Sequence, residues 1–122
     1  SMTQIEKNAN QEIIKKLINE GYIAVYYDTG KFKPTNSSTE NIGFILNFLR
    51  ANPNTTVDIV GHADEIGKSE TNDKLAANRA ENIKKVLQKA GIDASRINII
   101  SSGDKNSEEA RRLVRRATFT VK

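Results

Sequence analysis

Two residues of this 122-residue chain, Asp64 and Arg79, have the types and the spacing to handle a charged ligand. The sequence predicts a helix over residues 72–90. On it Leu75, Ala76, Ala80, Ile83, Val86, Leu87 and Ala90 fall within an arc of roughly 140° at ~100° per residue. Arg79 lies inside that arc, whereas Asp73, Lys74, Glu81, Lys84, Lys85 and Lys89 lie outside it. A guanidinium aimed at a core needs an anion. Asp64, just past a predicted strand at 56–62, stands at the same edge of the sheet. The pair can be a structural salt bridge. It can equally clamp an amino-acid zwitterion, since the flat guanidinium fork grips a carboxylate at two points while the aspartate holds an ammonium.

Other chemistries fit the residues less well. The chain has no cysteine and one histidine, so thiol nucleophiles, disulfides and thiolate metal sites are excluded. A lone imidazole at His62 is thin for zinc and reads as packing or hydrogen bonding; no metal and no cofactor are expected. Glycan hydrolysis needs two carboxylates facing each other across a sugar. Asp58 is expected to point away from the Asp64 pocket and Glu65 to be solvated, so the reading is a binding protein and not an enzyme. Arg111, Arg112, Arg115 and Arg116, with Lys84 and Lys85, would serve a basic nucleic-acid-binding module as phosphate contacts, the alternative from another class. The lysines of the helix alternate with Glu and Asn and no aromatic-rich RNA-binding motif is present, so no nucleic acid is expected as partner. Tyr22, Tyr26 and Tyr27 read as alternating strand positions, and Phe32, Phe44, Phe48 and Phe119 as core or near-core packing.

These residues must be positioned by regular elements. Ile5, Ala9, Ile13 and Leu17 repeat every four positions, with Ile14 and Ile18 widening the stripe, which predicts an amphipathic helix over residues 3–20 closed by Gly21. It packs on the domain by default, and an oligomerisation role is the other use of such a helix. A strand follows at 22–27, then a loop at 28–34 carrying Gly30 and Pro34. Ser37 and Glu40 have capping-box spacing for a second helix, which Asn52-Pro53 should stop. After the strand at 56–62, a polar loop runs to about Thr71. Beyond the third helix, strands are predicted at 96–101 and 118–121, with a short helix starting at Ser107 and Glu108. This order gives an α+β domain of βαβαβ type, with a mixed, partly parallel four-stranded sheet packed against helices. In such sheets ligands sit outside the C-terminal strand ends, here the loops at 28–34 and 62–71 and the first turns of the third helix.

Composition agrees with one domain. Hydrophobic residues make up 37% and charged residues 28%, and no apolar run approaches the ~20 residues of a bilayer span. The net charge of +4 favours anionic partners without choosing among nucleic acid, lipid and wall polymer. Ser1-Met2 reads as a cleavage scar on an excised segment.

Gly61-His62-Ala63-Asp64, followed by Asn72 and by Leu75-Ala76-Ala77-Asn78-Arg79-Ala80, resembles the signature of the OmpA-like peptidoglycan-binding domain. In that family a Gly-His-Thr-Asp turn precedes Asn, Leu-Ser and Arg-Ala at these spacings. Tyr26-Tyr27-Asp28 looks like the end of the family's first strand. Val114-Arg115-Arg116-Ala117 looks like its Asn-Arg-Arg-Val entry to the last strand. The resemblance covers residues 21–121 and implies an OmpA-like domain at 21–122, preceded by an N-terminal helix or linker at 1–20. It implies non-covalent binding of peptidoglycan through the diaminopimelate residue of the stem peptide, with Asp64 on the ammonium and Arg79 on the carboxylate. It further implies that backbone groups of Asp28, Thr29, Gly30, Thr71 and Asn72 complete the pocket. By the same resemblance the domain would lie in the periplasm, within an outer-membrane-associated anchor protein whose membrane-holding segments are outside this chain. A flagellar-stator-type anchor is the variant within the class. The sequence departs from the pattern at Ala63 for Thr, Ala76 for Ser, Gly30 for a frequent Asn and Val114 for Asn; the stretch at 101–110 is shorter than in many members.

Overall fold

The computed structural model describes residues 3–63, 69–100 and 115–122. Helix α1 (Gln4–Asn19) starts at Thr3, whose hydroxyl accepts the Glu6 amide, and is followed by strand β1 (Val25–Tyr26). A 3-10 turn at Asn36–Ser38 leads into α2 (Thr39–Ala51), which ends one residue before Asn52-Pro53, as that pair predicts. Strand β2 (Val57–Gly61), helix α3 (Ser69–Lys89), a second 3-10 turn (Ala94–Arg96), β3 (Ile97–Ile100) and β4 (Arg116–Val121) complete the described elements. The short helix expected at Ser107 and Glu108 lies outside the described residues.

The sheet has the order β1-β4-β2-β3. β2 and β3 pair in parallel, with Val57 opposite Ile97, while β4 runs antiparallel to β2 (Ile59 opposite Phe119) and to β1 (Val25 opposite Ala117). The first three strands therefore point the same way, as the βαβ order requires. The last strand enters between β1 and β2, which makes the sheet mixed.

One face of the sheet is dry. Val57 and Ile59 of β2, Ile97, Ala117, Phe119 and Val121 join Ile18, Ile42, Ile45, Leu49, Ile83 and Leu87 in a single buried cluster. The alternate residue Asp58 lies between Asn98 Nδ2 at 3.2 Å and Lys122 Nζ at 3.0 Å. The edge of β1 is satisfied by side chains: Ser38 Oγ accepts the Tyr26 amide at 3.1 Å, and Asn41 Nδ2 donates to the Ala24 carbonyl at 2.7 Å. At the other end of α2, Arg96 donates to the carbonyls of Leu49, Asn52 and Thr55, fastening the turn that leads into β2.

Four expectations are corrected. In the α1 stripe the repeat Ile5, Ala9, Ile13 and Leu17 faces outward, with Ile5 81% and Ile13 58% exposed, while Ile14 and Ile18 pack on the core, because the helix is held by Ile18 and by Asn19, which bonds both the amide and the carbonyl of Val121. The capping box does not form: α2 begins after Ser38, whose hydroxyl is committed to β1. Phe32 and Phe44 are exposed, since α2 buries Ile42, Ile45, Phe48 and Leu49 and Phe32 rides on the loop after β1. The third helix starts at Ser69, inside the stretch read as loop.

Candidate functional site

The site is built where β2 ends beneath α3. Gly61 closes the strand, and its missing side chain lets the α3 backbone at Ala76 and Ala80 lie directly against it. One turn of helix further on, that close approach carries the Arg79 side chain over the loops that follow β1 and β2.

Arg79 is fully buried. Its Nε donates to the Lys31 carbonyl at 2.8 Å, one terminal nitrogen to the His62 carbonyl at 2.7 Å, and the other to the Asp28 carbonyl at 3.2 Å. Three of the five guanidinium N–H groups are thus committed to main-chain oxygens from two loops. The Tyr27 ring lies beneath, 4.7 Å from ring centre to the guanidinium carbon, and its hydroxyl donates to the Arg79 carbonyl at 3.4 Å. Carbonyl dipoles and the ring face solvate the guanidinium and offset the cost of its burial. Burial holds the Tyr27 phenol well above its ordinary range, against the opposing pull of the Arg79 charge.

The loop after β1 is shaped to present its oxygens. Lys31 N–H closes a turn onto the Asp28 carbonyl at 3.0 Å, and Gly30 at its third position has φ +72°. That left-handed value suits Gly and Asn among common residues, so Gly30 keeps the turn without strain. Thr29 Oγ1 accepts from Arg115 at 3.1 Å.

The structure therefore brings Arg79 together with Asp28 directly, and with Thr29 and Gly30 through the turn they share. Thr71 is exposed and Asn72 half-buried on the first turn of α3. Asn72 stands two turns, ~10 Å, N-terminal of Arg79 on the same helical face; among the described residues neither side chain bonds to the guanidinium. Asp64 lies outside the described residues. His62 uses its main chain at the site, while its Nε2 sits 3.4 Å from Thr118 Oγ1.

The sequence model of the OmpA family matches residues 26–116. The chain belongs to the OmpA family. Outer membrane porin F of Pseudomonas fluorescens is 35% identical over 95 residues, covering 74% of this chain and 28% of the porin. The peptidoglycan-associated lipoprotein of Legionella pneumophila is 32% identical, covering 70% of this chain and 47% of the lipoprotein. This OmpA-family chain thus spans half or less of the length of those relatives. Its α+β fold is also that of solved structures: the peptidoglycan-associated lipoprotein of Burkholderia pseudomallei superposes with a TM-score of 0.69 at 24% identity, covering 81% of this chain and 89% of that one. The C-terminal domain of Helicobacter pylori MotB superposes with a TM-score of 0.65 at 20% identity, covering 80% and 81%.

Within the candidate site of this OmpA-family chain, four contributors escape a reading by residue type. Lys31 and His62 act through carbonyls, which any residue supplies. Tyr27 serves as the platform for Arg79, and Gly61 reads as strand punctuation until α3 is laid against it. A strand-end glycine followed by a helix with Ala76 and Ala80 four positions apart is the signal that points to close packing.

Proposed function

We propose that this domain binds peptidoglycan without covalent chemistry, gripping the diaminopimelate side chain of the stem peptide between Asp64 and Arg79. The observation that supports the reading is the buried Arg79 guanidinium, held in place by the Asp28, Lys31 and His62 carbonyls in a chain of the OmpA family. A charge fixed this way costs little to present to a ligand carboxylate, because its orientation is set before binding. Asp64 supplies the opposite charge for the ammonium, and backbone groups of Asp28, Thr29, Gly30, Thr71 and Asn72 line the remainder. Specificity comes from the penalty of leaving one charge unmatched when a ligand lacks its partner.

In this reading residues 21–122 carry the binding function and the helix before them links the domain to the rest of an envelope protein. The relatives include an outer membrane porin and a peptidoglycan-associated lipoprotein, which favours a periplasmic anchor attached to the outer membrane. Among the described residues no helix is long and apolar enough to cross a membrane.

Calorimetric titration with a diaminopimelate-containing stem peptide and with its lysine counterpart tests the proposal. Binding of the first, and loss of at least tenfold in affinity for the second, is the expected result. Equal binding of both peptides, or of neither, overturns it.

A further inference from the structure

Helix α1 leaves a regular apolar row uncovered. Residues 3–10 are all exposed, and the row Ile5, Ala9, Ile13 and Leu17 points away from the core, with Leu17 still 39% accessible. Steps of four residues turn the row by ~40° each, so it fills an arc of about 120° on the helix. A helical end of this length gains little order in water without a packed face, and a contiguous exposed apolar surface marks a place of association.

The charges on that face identify what covers it. Between Gln4 and Asn19, the charged residues inside the arc are Glu6 near its start and Lys16 near its end, and among the described residues neither is in an ion pair. A two-fold axis crossing α1 level with Gln11 sets a second, antiparallel copy so that Ile5 meets Leu17, Ala9 meets Ile13 and Glu6 meets Lys16, each contact made twice. Gln11 itself is turned to the domain, where its Oε1 accepts from Asn52 Nδ2 at 2.8 Å. A parallel copy would instead set Glu6 against Glu6 and Lys16 against Lys16. Rows four residues apart interlock at a crossing angle of about −50°, and the small Ala9 beside the axis lets the two helices approach. A lipid surface fits less well, because it selects a basic polar face with aromatic anchors, whereas α1 mixes acids with lysines and has no aromatic residue.

We propose that α1 is a self-association surface, through which two copies of this chain pair antiparallel by way of Ile5, Ala9, Ile13 and Leu17, with Glu6 of each on Lys16 of the other. The pairing leaves the Arg79 pocket open. Asn19 ties α1 to Val121 at the end of β4, whereas the Tyr27 and His62 amides of the pocket loops bond to Arg115 and Arg116 at its start. A dimer therefore presents two pockets to one polymeric ligand and gains avidity without a new contact to it. A pair of short helices buries less than the ~1,200 Å² of stable complexes, so the dimer is weak, with a Kd expected at about 0.1 mM.

Sedimentation equilibrium from about 10 µM to 1 mM tests this on wild type, Glu6→Lys, Lys16→Glu and the double swap Glu6→Lys with Lys16→Glu. Both side chains are exposed, so the fold survives each change, checked by circular dichroism. Each single variant places like charges opposite one another at two points and should weaken the dimer at least tenfold; the double swap restores the pairs and should return it to within about threefold of wild type. A double variant as weak as the singles overturns the antiparallel pairing. Single variants that dimerise like wild type overturn the use of this face, and a wild type that stays monomeric throughout, whether or not it binds anionic vesicles, overturns self-association.

Discussion

Gly61 and the carbonyl oxygen of Ala76 are in such close approach that a Cβ on Gly61 would collide with that oxygen and stand 3.3 Å from the Ala80 amide nitrogen. The atoms in the way are helix backbone, which cannot rotate aside. Gly61→Ala must therefore lift α3 from β2, and the expected cost is about 2–3 kcal/mol in chemical denaturation. Since Arg79 travels with α3, ligand affinity should fall with stability. A variant as stable as wild type would show that the helix yields at no cost.

Arg79→Lys keeps the charge and loses the fork. A lysine ammonium cannot serve the carbonyls of Lys31, His62 and Asp28 from one plane, so at least one of them is left without its donor. The expected loss of stability is about 1–3 kcal/mol. Hydrogen exchange at the Lys31 amide, which closes the turn onto Asp28, should accelerate more than exchange in the α2 core. Unchanged exchange at Lys31 would mean that the guanidinium does not hold this loop.

Tyr27 gives the domain an alkaline limit. Its phenol is raised in the folded state by burial, so the unfolded chain releases the proton first. Stability is complete below the ordinary phenol range, about 10, and is lost as pH climbs through it towards the higher folded value. Tyr27→Phe should flatten that alkaline loss, read from denaturation midpoints on either side of pH 10. If the variant and wild type lose stability in parallel, Tyr27 is not the responsible group.

Arg96 is expected to matter for folding and not for binding. It donates to three carbonyls at the end of α2 and the turn into β2, remote from the Arg79 pocket. Arg96→Ala should destabilise by about 1.5–3 kcal/mol. Peptide affinity, measured well below the melting temperature, should stay within twofold of wild type. A larger loss of affinity would connect this end of the sheet to the site.

Periodicity and punctuation in the sequence determined the element order, the stop of α2 at Asn52-Pro53 and the inward placing of Arg79 on α3, because 3.6-residue and two-residue patterns are local properties of a chain. The motif from Gly61 to Ala80 likewise marked the family. What the tertiary structure decided is non-local. Insertion of β4 between β1 and β2 depends on pairing across the whole chain, and Ile5, Ala9, Ile13 and Leu17 make a regular apolar stripe whichever way α1 is rotated. The rotation was set by Asn19 on Val121 and Ile18 in the core, contacts about a hundred residues apart in the first case. The same holds for the site: a sequence reports side chains, whereas the Arg79 guanidinium is fixed by carbonyls, groups that every residue carries and that only the fold can aim.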